Sequence, residues 1–316
     1  MSPPQIPGYE LRQHLGSGAF GSVWQARRLH DDLIVAIKVL HVTSPDARRR
    51  FGREMKLLAS LRSSPYVVSL FDHGEAGTVP YLVLEFCAGG SLRRWCTELR
   101  SSQDVAAIMF DVASGLEAIH ARAGFHRDIK PENILLAYTN DRKLQAKLAD
   151  FGLARAPLAP PTSTMTHSPA GTRGYMAPEL YQGSEYSASC DIWSLGMVLI
   201  ELLTGTRTVK SLDTMPDLSR PLVELARRMT ASDQQARPTA QEVVTALRAV
   251  LSLQPAVKPV ASPKSQVQPA RQGSGAGGWI AAALALLAVA SLAGNSKDTN
   301  GRWRDGKGRY RSGRFD

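Results

Sequence analysis

The fourteen-residue run Cys190–Leu203 (CDIWSLGMVLIELL) constrains this chain more than any other stretch. It is the most apolar helical segment of the first 251 residues. A helix that is apolar nearly all round must be enclosed by other elements. It therefore belongs at the centre of a core. A chain of 316 residues is long enough for one large domain or two small ones, and for a core that needs no disulfides. The three cysteines, Cys87, Cys96 and Cys190, are scattered and form no CxxC pair. That argues against a disulfide framework or a zinc site and fits a reducing compartment.

The formal net charge of +10 is unevenly placed: residues after Leu251 carry +7 and residues 1–251 only +3. The high isoelectric point is thus a property of the tail, and the folded part gives no sign of a specific nucleic-acid partner. Met1–Gly8 is polar and Pro-rich, without the apolar run of a signal peptide.

Along the chain, Gly8–Arg28 reads as two strands around the turn Gly16-Ser17-Gly18-Ala19-Phe20-Gly21. Glycines let a backbone pass close to phosphates. The strand-like Ser22-Val23-Trp24-Gln25-Ala26 that follows excludes a dinucleotide fold, which requires a helix there. Leu33–Leu40 is an apolar strand broken by one charge, Lys38, whose stem lies among Val35, Ala36, Ile37 and Val39 and whose ammonium needs an anion. Pro45–Leu61 reads as a helix with Phe51, Met55, Leu58 and Leu61 on one stripe. Glu54 beside that stripe is either the partner of Lys38 or half of a surface pair.

Val67–Phe71 and Tyr81–Phe86 read as strands, followed by a Gly89-Gly90 joint and a helix from Leu92. Asp104–Ala123 is a long helix that leads into His126-Arg127-Asp128-Ile129-Lys130-Pro131-Glu132-Asn133. Within six residues this stretch sets a carboxylate, an ammonium and a carboxamide. Asp128 can take a proton from a hydroxyl, Lys130 can neutralise a moving phosphoryl group, and Asn133 can offer a neutral oxygen to a hard cation. Two short strands follow, around a turn at Thr139–Arg142, and then Asp150-Phe151-Gly152. Ala156–Thr172 is rich in Pro, Ser and Thr and reads as a loop. Pro221–Met229 and Thr239–Leu251 read as amphipathic helices. Leu253–Gly278 reads as a disordered linker, and Trp279–Ala293 is an apolar run of fifteen residues ahead of a basic tail. That run is shorter than the ~20 residues a bilayer core usually requires.

The ordered set GSGAFGSV, VAIK, a helix Glu, HRDIKPEN, DFG, GTRGYMAPE, DIWSLG and an RP pair resembles the eukaryotic-type (Hanks-type) serine/threonine protein kinase family over roughly Gly8–Leu251. The resemblance implies an α+β two-lobed protein kinase fold over 8–251. It would comprise a small β-rich N-lobe with one main helix, about 8–86, and a larger helical C-lobe, about 91–251. A linker (252–278), a hydrophobic segment (279–293) and a basic tail (294–316) would follow.

Carried over by position, it implies an ATP site from Leu15, Gly16, Gly18, Gly21, Val23, Ala36, Lys38, Glu54, Glu85 and Cys87, with Leu84 guarding the pocket behind the adenine. Asp128 and Lys130 would be catalytic, and Asn133 and Asp150 would hold Mg²⁺, or Mn²⁺ in its place. Arg127 implies a phosphate on the 156–172 loop, with Thr162, Thr164 and Thr166 as candidate sites. Thr172 would contact the catalytic pair and the docked substrate. Glu179 would pair with Arg237, and Asp191 would brace the catalytic loop.

The implied partners are protein substrates, a second copy of the chain for autophosphorylation, and a membrane reached through 279–293. The kinase domain is then expected in the cytoplasm, anchored as in bacterial receptor-type kinases. The charge bias around 279–293 runs against a simple span, which leaves an interfacial segment as the alternative. Two other functional readings are a catalytically silent scaffold and a small-molecule phosphotransferase. Only 32 residues separate Gly205 from Pro238, so a docking helix usual in the family is expected to be shortened or missing.

Overall fold

Strand-forming residues cluster before Glu85 and helix-forming ones after it, and the architecture follows that division. The computed structural model describes residues 4–18, 21–40, 52, 55–97, 101–150, 174–215 and 219–252. Contacts divide the chain into Met1–Val257 and Lys258–Asp316; the second unit, with the apolar run 279–293, lies outside the described residues.

Five antiparallel strands, β1 (Tyr9–Gly18), β2 (Gly21–Arg28), β3 (Ile34–Leu40), β4 (Leu70–Ala76) and β5 (Val79–Glu85), form one sheet in the order β1-β2-β3-β5-β4. Side chains alternate across the pleat. Val35, Ile37 and Val39 of β3 pack with Tyr81 and Val83 of β5 in one apolar cluster. Leu40 and Leu82 join the main core on the other face. Lys38 shares that second face, so β3 is a central strand with its lysine turned away from the smaller cluster and only 8% exposed.

β4 begins three residues later than the expected Val67 strand and runs through Asp72-His73-Gly74-Glu75. An edge strand keeps one side in water, so its polar half carried no apolar signal. Val67 makes a single bridge to Leu148 instead. Residues 55–60 are helical, with Leu58 and Leu61 buried as their spacing predicted.

The helical part contains α1 (Ser102–His120), α2 (Pro178–Tyr181), α3 (Ala188–Thr204), α4 (Arg220–Met229) and α5 (Ala240–Ser252). Ser101 and Asp104 close a reciprocal capping box at the start of α1. The segment after Leu92 is a short 3₁₀ helix, Leu92–Thr97, rather than the expected α-helix. The helix α3 contains the apolar run Cys190–Leu203, and Cys190, Ile192, Leu195 and Leu199 are among its side chains with almost no exposure. Between α3 and α4 the described chain forms only the short 3₁₀ helix Val209–Thr214. A hairpin of β6 (Ile134–Tyr138) and β7 (Leu144–Leu148) follows the 126–133 stretch.

Two buried acids tie these pieces together. Glu179 takes a bidentate pair from Arg237, at 2.7 and 2.9 Å, with the arginine side chain fully buried and stacked over Trp193. Asp191 sits at the first turn of α3 with no exposure. It accepts the backbone N–H of His126 (2.9 Å), the backbone N–H of Arg127 (3.0 Å), His120 Nε2 (2.9 Å) and the Tyr186 hydroxyl (2.6 Å). Both contacts expected from the sequence, Glu179 with Arg237 and Asp191 with the catalytic-loop backbone, are present. Burial works to raise the Asp191 pKa, but the hydrogen bonds from His120 and Tyr186 hold it below the ordinary value.

The His126 ring is fully buried and donates from Nε2 to the Ala149 carbonyl at 3.0 Å. Ala149 N–H in turn donates to the Asn133 carbonyl at 2.9 Å. The loop 126–133 and the residue before Asp150 are thereby locked to one another.

Arg237→Ala strands the Glu179 carboxylate in the core and should destabilise the fold by about 3–5 kcal/mol, read from the urea midpoint. Arg237→Lys should recover only part of that loss, because a lysine cannot reproduce the bidentate fork. Burial keeps the His126 imidazole neutral, its pKa lowered despite the surrounding Asp191, Asp128 and Asp150. Unfolding frees it to take a proton below about pH 6.5. Stability should therefore fall as the pH drops through that value, by up to about 1.4 kcal/mol per pH unit. His126→Phe should flatten the dependence between about pH 7 and 5 in calorimetric scans.

Candidate active site

Lys38 is the first residue to find its anion. Its Nζ lies 2.5 Å from Asp150 Oδ1, joining the centre of the sheet to the segment after β7. The exposures are unequal: the lysine side chain is 10% exposed and the aspartate 47%. The buried partner is held in place, and the exposed carboxylate still faces solvent. Glu54, the partner expected from the sequence, lies outside the described residues.

Asp128 is gripped from two sides. Lys130 Nζ stands 2.9 Å from its Oδ2, and Asn133 Nδ2 donates both to that oxygen at 2.9 Å and to the Asp128 carbonyl at 2.8 Å. The asparagine spends its N–H groups on Asp128, so its Oδ1 is the atom it can offer to a cation. With the exposed carboxylate of Asp150, this donor set suits Mg²⁺, which takes one or two protein oxygens and completes its shell from phosphate and water. Ala149 is bonded to both Asn133 and His126, so the two candidate metal ligands are positioned together.

The backbone turns left-handed at two places beside these groups, a strained choice at Arg127 and an easier one at Asp150. Arg127 and Asp150 have φ of +69° and +53°, in the left-handed region that side chains other than Gly, Asn and Asp seldom adopt. Such outliers persist where the surroundings over-determine them. Here the surroundings are the bond from Arg127 N–H to Asp191 and the double anchoring of Ala149. The Arg127 guanidinium lies over the Tyr186 ring, 5.9 Å from its centroid.

The glycine turn contains two different glycines. A Cβ on Gly21 would sit 1.9 Å from the Val39 carbonyl oxygen, and its φ is +148°, so β2 and β3 themselves require glycine there. Among the described residues, a Cβ on Gly16 would meet nothing within 4 Å, so none of them requires a bare backbone there and the space is open to a ligand. Leu15, beside it, is 43% exposed. Val23 pairs across the ladder with Lys38, and Ala36 with Leu84, so the four belong to the same patch of sheet.

At the end of β5 the Glu85 N–H donates to the Ser69 carbonyl at 2.9 Å, while its side chain pairs with Lys147 at 2.9 Å. The Cys87 carbonyl accepts from Gly90 N–H at 3.2 Å, so the backbone group it can offer a planar base is its N–H. Cys87 is itself buried, and burial pushes its thiol up to about 12, which makes it an inert wall residue.

Gly18 belongs to β1, where it pairs with Gly21. Thr162, Thr164, Thr166 and Thr172 lie outside the described residues. The structure adds two positioning residues to which the sequence reading gave no role. His126 fixes Ala149, and Arg93 reaches the catalytic loop through Glu132 at 2.7 Å. The first stands within a quoted motif. The second follows a Gly-Gly joint that carries no local signal.

Comparison with known proteins agrees with this arrangement. Residues 9–247 match the protein kinase domain family. Among the curated relatives, CBL-interacting protein kinase 12 of Oryza sativa is 38% identical over 202 residues, covering 62% of this chain and 36% of that protein. Serine/threonine-protein kinase PknB of Mycobacterium leprae is 38% identical over 216 residues, covering 65% and 34%. Serine/threonine-protein kinase Pkn1 of Myxococcus xanthus is 34% identical over 202 residues, covering 62% and 29%. The chain thus spans about a third of the length of the relatives it matches. With the matched region running from β1 into α5, and the glycine turn, Lys38, Asp128, Asn133 and Asp150 arranged around one another as described, the chain belongs to the protein kinase domain family.

Proposed function

We propose that this chain is a serine/threonine protein kinase that moves the terminal phosphoryl group of ATP onto hydroxyl groups of proteins in signalling. The observation that carries the reading is the set of bonds that joins Lys130 and Asn133 to Asp128, Asn133 to Ala149 beside Asp150, and Asp150 to Lys38. Phosphoryl transfer needs little covalent chemistry from the protein and much positioning.

In this reading the adenine lies between Ala36, Val23 and the Glu85–Cys87 backbone, and the phosphates pass under Gly16 and Gly18. Lys38 turns its ammonium to the α and β phosphates, sharing it with Asp150. Asn133 Oδ1 and the Asp150 carboxylate hold Mg²⁺, or Mn²⁺ in its place, which neutralises phosphate charge when bound. The substrate hydroxyl is oriented by Asp128, which accepts its proton as the oxygen bonds to the terminal phosphorus. The bond from that phosphorus to the bridging oxygen breaks, and ADP leaves with the electron pair. Lys130 balances the charge on the phosphoryl group in transit. The wording Lys130-Pro131-Glu132-Asn133 favours serine and threonine over tyrosine acceptors.

Thr162, Thr164 or Thr166 accepts phosphate from a second copy of the enzyme, and Arg127 supports this because a guanidinium beside Asp128 gives a phosphate a ready partner. Thr172 contacts Asp128 and Lys130 when substrate docks. Trp279–Ala293 attaches the kinase domain to the cytoplasmic face of a membrane; among the described residues no helix is long and apolar enough to cross one.

Purified protein with Mg-ATP should label itself or a general protein acceptor. Asp128→Asn should lower that rate about 10²–10⁴-fold without loss of nucleotide binding. Unchanged labelling in that variant would overturn the mechanism. Tight ATP binding with no turnover in the parent chain would favour a scaffold, and transfer to a small alcohol alone would favour a small-molecule phosphotransferase. Mass spectrometry after incubation with ATP should find phosphate on the 156–172 loop. Protease treatment of intact cells should leave the kinase domain uncut if the membrane reading holds, whereas recovery of the full chain in the soluble fraction would remove it.

A further inference from the structure

A second charged cluster adjoins the catalytic loop and plays no part in the transfer just described. The Arg93 guanidinium uses each of its nitrogens. Nε donates to Glu132 Oε1 at 2.7 Å, Nη1 to Glu201 Oε1 at 2.7 Å, and Nη2 to the Tyr175 hydroxyl at 2.5 Å. The Tyr175 hydroxyl in turn donates a hydrogen bond to the other oxygen of Glu201. Four segments meet here: the 3₁₀ helix Leu92–Thr97, the catalytic loop, the stretch leading into α2, and α3.

The two carboxylates differ in setting. The Glu201 side chain is 9% exposed and Glu132 is 47% exposed, with Arg93 between them at 32%. A carboxylate as buried as Glu201 requires a cation. Glu132 stands four residues after Asp128 and next to Asn133, which holds Asp128. A peptide whose hydroxyl reaches Asp128 must therefore pass within a few residues of Glu132. Two acids at that place form a subsite for a basic side chain of the substrate, and the chain's own arginine already fills it.

We infer that Arg93 occupies this cation subsite from within the chain, so that the enzyme does not select lysine or arginine beside the phosphorylated residue. This rests on the protein kinase reading above and deepens it to substrate class. Specificity is a difference between partners. An internal guanidinium neutralises one of the two carboxylate charges and already takes the oxygens a basic substrate would use, so the electrostatic reward for such a substrate is cut.

The test uses the full chain and a set of peptides carrying one serine, with arginine scanned through each neighbouring position in place of alanine. Both kcat/KM and the Kd from fluorescence anisotropy are measured, because the Kd arm reads the subsite even if no phosphate is transferred. The parent enzyme should respond by less than about threefold at every position. Arg93→Gln, which keeps most of the volume and removes the charge, should gain about tenfold or more at one position and weaken with added salt. The double variant Arg93→Gln/Glu132→Gln should lose that gain, and Arg93→Lys should keep the flat profile. A purely structural Arg93 would lower kcat/KM equally for all peptides, and that uniform loss overturns the proposal. A tenfold arginine preference in the parent enzyme overturns it too, even if Arg93→Gln fails to fold.

Discussion

The carboxylate of Asp191 is the constraint on which the catalytic loop depends. It is wholly buried at the start of the most apolar helix, and it is tolerable there only because four donors converge on it. Two of those donors are the backbone N–H groups of His126 and Arg127. They flank the left-handed residue Arg127, and Asp191 accepts from both. The apolar helix is thus more than a filler of the core. It carries one charge to the place where a strained loop needs an acceptor.

The same arrangement recurs through the molecule. Glu179 with Arg237, Glu201 with Arg93, and Glu85 with Lys147 each join segments far apart in sequence through a partly or fully buried pair. Such pairs contribute little net stability compared with well-packed apolar residues. They do fix register, since an acid placed one residue away would be stranded. In a site whose chemistry is mainly positioning, register decides whether Asp128, Asn133 and Asp150 stand together.

Lys38 illustrates how pleat and burial turn a sequence anomaly into a functional group. Alternation along β3 sends Val35, Ile37 and Val39 to one cluster and leaves Lys38 on the face shared with Leu40. The ammonium can then be satisfied only by an anion from another segment, and Asp150 meets it. An ion pair with one half in solvent can be shared with an incoming phosphate at small cost, which a fully buried pair could not do.

Much was legible in the sequence because it resides in local pattern. Apolar spacing located the long helices, and motif order identified Lys38, Asp128, Asn133 and Asp150. The family resemblance, carried over by position, implied that Glu179 would pair with Arg237. Polar edge strands escape such reading, as the Asp72–Glu75 half of β4 did, because water satisfies one side of them. Long-range partners escape it as well. That Gly21 is required by the Val39 carbonyl whereas Gly16 is not, that His126 clamps Ala149, and that Arg93 lies between Glu132 and Glu201 depend on distances between segments up to 108 residues apart. The sequence by itself determined which chemistry the chain carries. Only the tertiary structure decided which charges are already satisfied from within, because a charge pair is defined by distance and burial, and neither is written in the order of residues.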